Sequence, residues 1–129
     1  MTKIAIIEDE TAIAEMYRFK LEQLGYEVRC AVNGKEGLEL VETWRPALIL
    51  LDLMMPEMSG DKMLEKIRAT DWGKAVKVII LTNISEESGP SNLHSLNIDS
   101  YVVKASYTPV EVAEIASKVL ADKDATKPV

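Results

Sequence analysis

Three short apolar runs and one more polar stretch in this chain each end in a side chain able to do chemistry. Ala-Leu-Ile-Leu-Leu at 47–51 ends in Asp52, Ile-Ala-Ile-Ile at 4–7 ends in Glu8-Asp9, the run at 76–81 ends in Thr82, and the run at 99–103 ends in Lys104. Brought together, these ends supply three carboxylates, a hydroxyl and an ammonium. Carboxylates held side by side repel one another and bind protons more tightly unless a cation sits among them. A hard, oxygen-seeking divalent ion fits that need. Mg²⁺ is usually held by one or two carboxylates and otherwise by water and phosphate oxygens, and Asp9 with Asp52 supplies that number.

These positions are far apart in sequence, so only the elements carrying them can make them converge. The run before Asp52 lacks polar alternation and reads as a strand buried on both faces. After it, Pro56 fixes φ and removes an amide donor, and Ser59-Gly60 offers a cap for the next helix. From Glu10 to Leu24 the residues Ile13, Met16, Tyr17, Leu21 and Leu24 recur at helical steps, and Gly25 ends that helix. Residues 26–32 alternate and predict a half-exposed edge strand. Asn33 with Glu36 opens a second helix whose inner face is Gly37, Leu40, Val41 and Trp44. Ser59 is expected to cap a third, packed through Met63, Leu64 and Ile67. Residues 85–92 are poor helix material, so a short, loosely held helix is expected from about Pro90 to Leu96. Thr108-Pro109-Val110-Glu111 opens a last helix with its core face at Val112, Ile115, Ala116 and Val119.

Strict alternation of strand and helix implies a parallel sheet covered on both faces, a single doubly wound α/β domain of five βα units. The first, third and fourth strands are the apolar ones and belong at the centre. The predicted order is therefore 2-1-3-4-5, with the switch point between strands one and three, where Glu8, Asp9 and Asp52 arrive. The domain is expected over 1–121, with a polar tail over 122–129.

The 129 residues leave room for one core, and 47% hydrophobic with 28% charged residues is an ordinary globular balance. Fifteen Lys and Arg against 21 Asp and Glu, a formal net charge of −6, argue against general binding to nucleic acid or anionic membranes. Partners are expected to be proteins or cations. No apolar run approaches the ~20 residues of a membrane-spanning helix, and the start turns acidic too early for a signal peptide, so a cytoplasmic location is expected. The single cysteine, Cys30, is expected to pack rather than react, and His94 to be a solvated helix residue.

Glu8-Asp9, the stretch Asp52-Leu-Met-Met-Pro-Glu-Met-Ser-Gly, Thr82, Tyr101 and Lys104, in this order on five βα units, resemble the receiver domain of two-component response regulators, over essentially the whole chain to Leu120. The resemblance implies a flavodoxin-like fold and a signalling role, not an enzyme acting on a metabolite. It implies a phosphoacceptor at Asp52 that takes a phosphoryl group from a histidine kinase or a phosphotransfer protein and so promotes its own phosphorylation and dephosphorylation. It implies Mg²⁺ held by Asp9, Asp52 and the backbone carbonyl of Met54, with Glu8, where Asp is commoner, acting through water. Thr82 and Lys104 would bind the phosphoryl oxygens, and Tyr101 would follow Thr82 in a switch read by a downstream protein target. No DNA-binding or enzymatic output segment is recognisable, so signalling is expected through protein contacts or phosphorelay.

Two departures from the family pattern stand out. Ala105 follows Lys104 where proline is usual; without proline a cis bond is costly, by about 3 kcal/mol or more, so a trans bond is expected. Met54 and Ile84, two positions past Asp52 and Thr82, are apolar where some relatives carry groups that orient water, which points to slow loss of phosphate. A flavodoxin-like cofactor binder would need a Gly/Ser/Thr-rich loop after the first strand, and Glu8-Asp9-Glu10 repels phosphate instead. A haloacid-dehalogenase-type phosphatase would want a second Asp two residues after Asp9, where Thr11 stands. The alternative that survives is a receiver-like module that binds protein without phosphorylation.

Overall fold

A computed structural model describes residues 1–121; the polar tail expected over 122–129 lies outside the described residues. Strands β1 (Lys3–Ile7), β2 (Glu27–Ala31), β3 (Leu48–Leu51), β4 (Lys77–Thr82) and β5 (Ser100–Val103) form one sheet in the order β2-β1-β3-β4-β5. Every neighbouring pair is parallel, as the βα alternation requires. Helices α1 (Thr11–Gln23), α2 (Gly34–Trp44) and α3 (Gly60–Arg68) supply three of the four crossovers, and α4 (Pro109–Ala121) closes the domain after β5. The fourth crossover has no α-helix. It is built from 3₁₀ turns at Glu86–Ser88 and Ser91–Leu96, the second of which falls where a loosely held helix was expected.

Because strand side chains alternate, each central strand feeds two cores. Ile4, Ile6, Leu48, Leu50, Ile79 and Leu81 face α1 and α4, while Ala5, Ile7, Ile49, Leu51, Val78 and Ile80 face α2 and α3. All four residues of β3 are at most 1% exposed, and burying such a side chain is worth about 1.5–3 kcal/mol against leaving it in water. The edge strands β2 and β5 mix buried and half-exposed positions, which is why polar residues are tolerated there.

The caps divide. Asn33 accepts a hydrogen bond from the Glu36 amide at 2.8 Å. Thr108 and Glu111 form a reciprocal capping box, Thr108 N–H to Glu111 Oε1 at 2.8 Å and Glu111 N–H to Thr108 Oγ1 at 3.1 Å. Ser59, expected to cap α3, makes no such side-chain bond; the entry to α3 is instead fixed by the Gly60 amide donating to the Leu53 carbonyl at 3.1 Å. On α1 the buried stripe is Ala14, Tyr17 and Leu21, whereas Met16 and Leu24, expected in the core, are 48% and 56% exposed. Met16 is adjacent to Tyr17 and so rotates off the stripe, and Leu24 lies past the end of the helix, where the 3.6-residue period no longer governs it. Among the described residues no peptide bond is cis, so Lys104 joins Ala105 through the expected trans bond, and a 3₁₀ turn at Lys104–Ser106 follows β5.

Candidate functional site

The strand register brings the reactive ends together. Ile7 lies opposite Leu51 between β1 and β3, so Glu8 and Asp52 leave the sheet side by side, and the Asp52 amide donates to the Ile7 carbonyl at 3.0 Å. Thr82 lies opposite Val103 between β4 and β5, which places Lys104 one step beyond on the same edge. Leaving β3, the chain turns back so tightly that a Cβ on Gly60 would stand 2.2 Å from the Asp52 carbonyl oxygen. Only glycine permits that approach, so Gly60 holds the loop against Asp52.

One carboxylate oxygen from each of Glu8, Asp9 and Asp52 falls within 4.8 Å of the others. Glu8 and Asp52 are buried and Asp9 is exposed, so the cluster has a floor and an open side. Lys104 Nζ donates to Glu8 Oε1 and, at 3.1 Å, to Asp52 Oδ2. The remaining oxygens are also engaged: the Glu10 amide donates to Glu8 Oε2 at 3.1 Å and the Met54 amide to Asp52 Oδ1 at 3.2 Å. Burial pushes the Glu8 carboxyl above its usual range, with the Lys104 bond and the Glu10 amide opposing only in part. Burial works against the Lys104 ammonium too, but there the bonds and charges of Glu8 and Asp52 prevail and its pKa lies above the usual lysine value. Three oxygen donors around a small space, one open to solvent, fit a hard divalent cation.

Thr82 is fully buried, and its Oγ1 has no hydrogen-bond partner among the described residues. Such an orphaned hydroxyl is uncommon enough to need a reason, and one beside a carboxylate at a sheet edge is a donor available to a ligand oxygen. Tyr101 lies two residues before Val103 on β5, opposite Ile80, and is tied elsewhere: its hydroxyl donates to the Ile84 carbonyl at 2.7 Å. A Cβ on Gly89 would come within 3.0 Å of that hydroxyl, so the Tyr101 ring end is cradled by the loop after β4. The Met54 side chain is 63% exposed at the mouth of the site.

One neighbour escaped the sequence. Tyr17, placed by periodicity as a packing residue, is 4% exposed, and its phenol, raised in pKa by burial, feels the charges of Lys104, Glu8 and Asp52. A tyrosine on the inner stripe of the helix that follows Glu8-Asp9 was the available signal. Cys30 is half-buried with its thiol pushed up to about 11 by burial, in keeping with a packing role, and His94 is exposed.

A family model described as the response regulator receiver domain matches residues 4–118. Among curated proteins, the chain is 31% identical over 121 residues to the DNA-binding dual master transcriptional regulator RpaA of Synechocystis, covering 94% of this chain and 48% of that protein. It is 33% identical over 115 residues to the phosphate regulon transcriptional regulatory protein PhoB of Rhizobium meliloti, covering 89% and 51%. The chain thus spans about half the length of these relatives. Among solved structures, a CheY-like response regulator receiver domain protein from Methanospirillum hungatei superposes with a TM-score of 0.85 at 30% identity, covering 98% of each chain. Response regulator TrrA from Thermotoga maritima, solved with Mg²⁺ and BeF, superposes at 0.79 with 35% identity, covering 92% of this chain and 99% of that one. With the sheet order, the strand-end residues and the whole-length match in agreement, the chain belongs to the response regulator receiver domain family of two-component signalling.

Proposed function

We propose that this receiver domain is a phosphoacceptor whose acceptor atom is a carboxylate oxygen of Asp52. The observation that carries this reading is the buried Asp52 carboxylate held 3.1 Å from Lys104 Nζ with Asp9 and Glu8 within 4.8 Å. The phosphodonor is a phosphohistidine on a histidine kinase or phosphotransfer protein. Asp52 forms the new P–O bond as the P–N bond breaks, and the electron pair leaves with the histidine nitrogen, which takes up a proton. Asp9, Asp52 and the Met54 carbonyl would hold Mg²⁺, with Glu8 acting through water. When bound, that ion neutralises charge on the transferring phosphoryl group.

The chain's own residues do the remaining work by position. Lys104, already held 3.1 Å from Asp52, donates to one phosphoryl oxygen, and the unpartnered Thr82 hydroxyl is drawn to donate to another. The product carries about −1.5 to −2 charge at a site that held a single carboxylate, and the surface near Thr82 and Tyr101 reports that change to a downstream protein. The apolar side chains of Met54 and Ile84 leave attacking water without a polar guide, so the phosphoryl group is lost slowly. The domain extends over 1–121, with 122–129 as its tail.

Incubation with acetyl phosphate and Mg²⁺ tests this by intact mass. One phosphoryl group per chain is expected, absent in Asp52→Asn and absent when EDTA removes the metal. A wild-type chain that folds, binds Mg²⁺ and still takes up no phosphoryl group would favour the phosphorylation-independent binding module instead.

A further inference from the structure

We propose that the amino-terminal edge of the sheet, opposite the Asp52 site, is a docking groove for an acidic segment of a partner protein that carries an apolar side chain beside its carboxylates. Lys77 opens β4 and Thr82 closes it. At about 3.3 Å per residue the two edges lie roughly 16 Å apart, so a ligand at one does not touch the other. The groove therefore stands or falls independently of phosphate on Asp52.

Two cavities meet at this edge. The first, about 490 Å³, is lined by Arg68, Lys74, Lys77 and Asp99; the second, about 300 Å³, by Val41, Arg45, Pro46 and Trp72; Ala75 and Val76 line both. Together they carry four cationic side chains against one carboxylate, in a chain whose net charge is −6. None of the four cations pairs with a carboxylate among the described residues. Asp99 turns one oxygen away to the Val78 amide, at 2.9 Å.

Arg68 builds the floor of the first cavity. Its half-buried guanidinium donates to the carbonyls of Leu96 and Val76 at 2.8 Å and of Gly73 and Asn97 at 2.9 Å. Those bonds occupy its donors and bring no negative charge, and burial lowers its pKa with Asp99 opposing only in part. A cleft lined by one sign of charge concentrates the field of such a cation. Because the fork of Arg68 is spent, the donors left for a ligand are the ammoniums of Lys77 and of exposed Lys74, which holds only the Arg68 carbonyl, at 3.4 Å. The second cavity asks for something apolar: Arg45 Cζ stacks 4.4 Å from the centre of the Trp72 ring, beside Val41 and Pro46. A long polyanion would run past the acidic remainder of the surface and be repelled, whereas a short acidic segment reaches the cationic edge alone.

The probe is the blocked peptide Glu-Glu-Leu-Glu-Glu, titrated at low salt into the ¹⁵N-labelled full chain. Saturable amide shifts are expected over 45–47, 72–77 and 97–99 and not over 52–54, with Kd of about 1 mM or below. Lys74→Glu with Lys77→Glu should weaken binding about tenfold or more. Lys62→Glu with Lys66→Glu changes net charge equally but lies on lysines that line neither cavity, and should weaken it less than about threefold. Serine in place of the peptide's leucine should cost about threefold or more. Shifts that never saturate, equal weakening by the two lysine pairs, a serine peptide that binds as well, or inorganic phosphate or a 12-nucleotide single strand that binds as tightly as the peptide would each overturn the proposal. If the Lys77 substitution prevents folding, Lys74→Ala decides: weakening of about threefold or more supports the groove, and unchanged affinity sinks it.

Discussion

The third and fourth crossovers of this domain do the same topological job with very different anchorage. The α3 crossover buries Met63, Leu64 and Ile67 completely. The fourth, over 83–99, buries only Leu93, with Ile84, Leu96 and Ile98 partly covered. Its ties to α3 are largely polar: Asn92 donates to Glu65, and the Arg68 guanidinium donates to the Leu96 carbonyl at 2.8 Å and the Asn97 carbonyl at 2.9 Å. Short 3₁₀ turns also carry poorer hydrogen-bond geometry than an α-helix. The difference places a rigid wall beside Asp52 and a loosely held one beside Thr82 and Tyr101. Local opening is cheapest where few apolar contacts oppose it, so the fourth crossover is the part of the site able to respond.

The largest test of that contrast is truncation on each side. Leu64→Ala should lower unfolding free energy in urea by about 3–4 kcal/mol, and Leu93→Ala by about 2 kcal/mol at most, because the half-exposed surroundings of Leu93 can relax into the space. Equal losses would mean the two crossovers are anchored alike.

Next in size is the response to a beryllofluoride phosphoryl mimic. Hydrogen exchange should change more than tenfold within Ile84 to Tyr101 and stay within twofold across α3. In the proposed switch, Thr82 drawn to the mimic would vacate space beside Tyr101, and little packing energy would resist movement of the loop. Unchanged protection from Ile84 to Tyr101, in a sample where the mimic is shown to bind, would end the switch.

A smaller effect isolates one bond. Tyr101→Phe keeps the ring and removes the hydroxyl that donates to Ile84, so the loop after β4 should open more easily by about 1 kcal/mol, roughly fivefold in exchange. Global stability should hardly move. A matching loss in the urea midpoint would show that Tyr101 supports the whole domain and not the loop.

The smallest expected effect is no effect. Cys30 sits on β2, at the edge of the sheet opposite β5 and the fourth crossover, with its thiol raised to about 11. The folded chain holds that proton more tightly than the unfolded chain does. Its contribution to stability is therefore constant below the ordinary thiol range and is lost as pH rises toward 11. At pH 8 only about one thiol in a thousand is thiolate, so alkylation should be slow and should speed up steadily with pH. The mimic should leave the rate unchanged; acceleration would place motion at the edge of the sheet remote from the fourth crossover.

Much of this arrangement was legible because hydrophobic patterning reports how many faces of a strand are buried. Three nearly unbroken apolar runs and two alternating ones are enough to order the sheet, and parallel strands then carry Glu8, Asp9, Asp52, Thr82 and Lys104 to one edge whatever the loops do. The short turn at Ser91–Leu96 was legible too, since Gly, Pro, Ser and Asn weigh against a helix on their own. Patterning stops at the faces. It could not place Met16 in solvent or leave Ser59 without its cap, because rotation about a helix axis and the pull of Gly60 onto the Asp52 loop are decided by packing. Nor could it say that Glu8 spends one oxygen on Lys104 and the other on Glu10, or that the Tyr17 phenol senses the same three charges. Residue type and spacing determined which groups reach the edge of the sheet; only the tertiary structure decided which of them touch, because contact depends on ångström distances across strands that the chain itself never brings near one another.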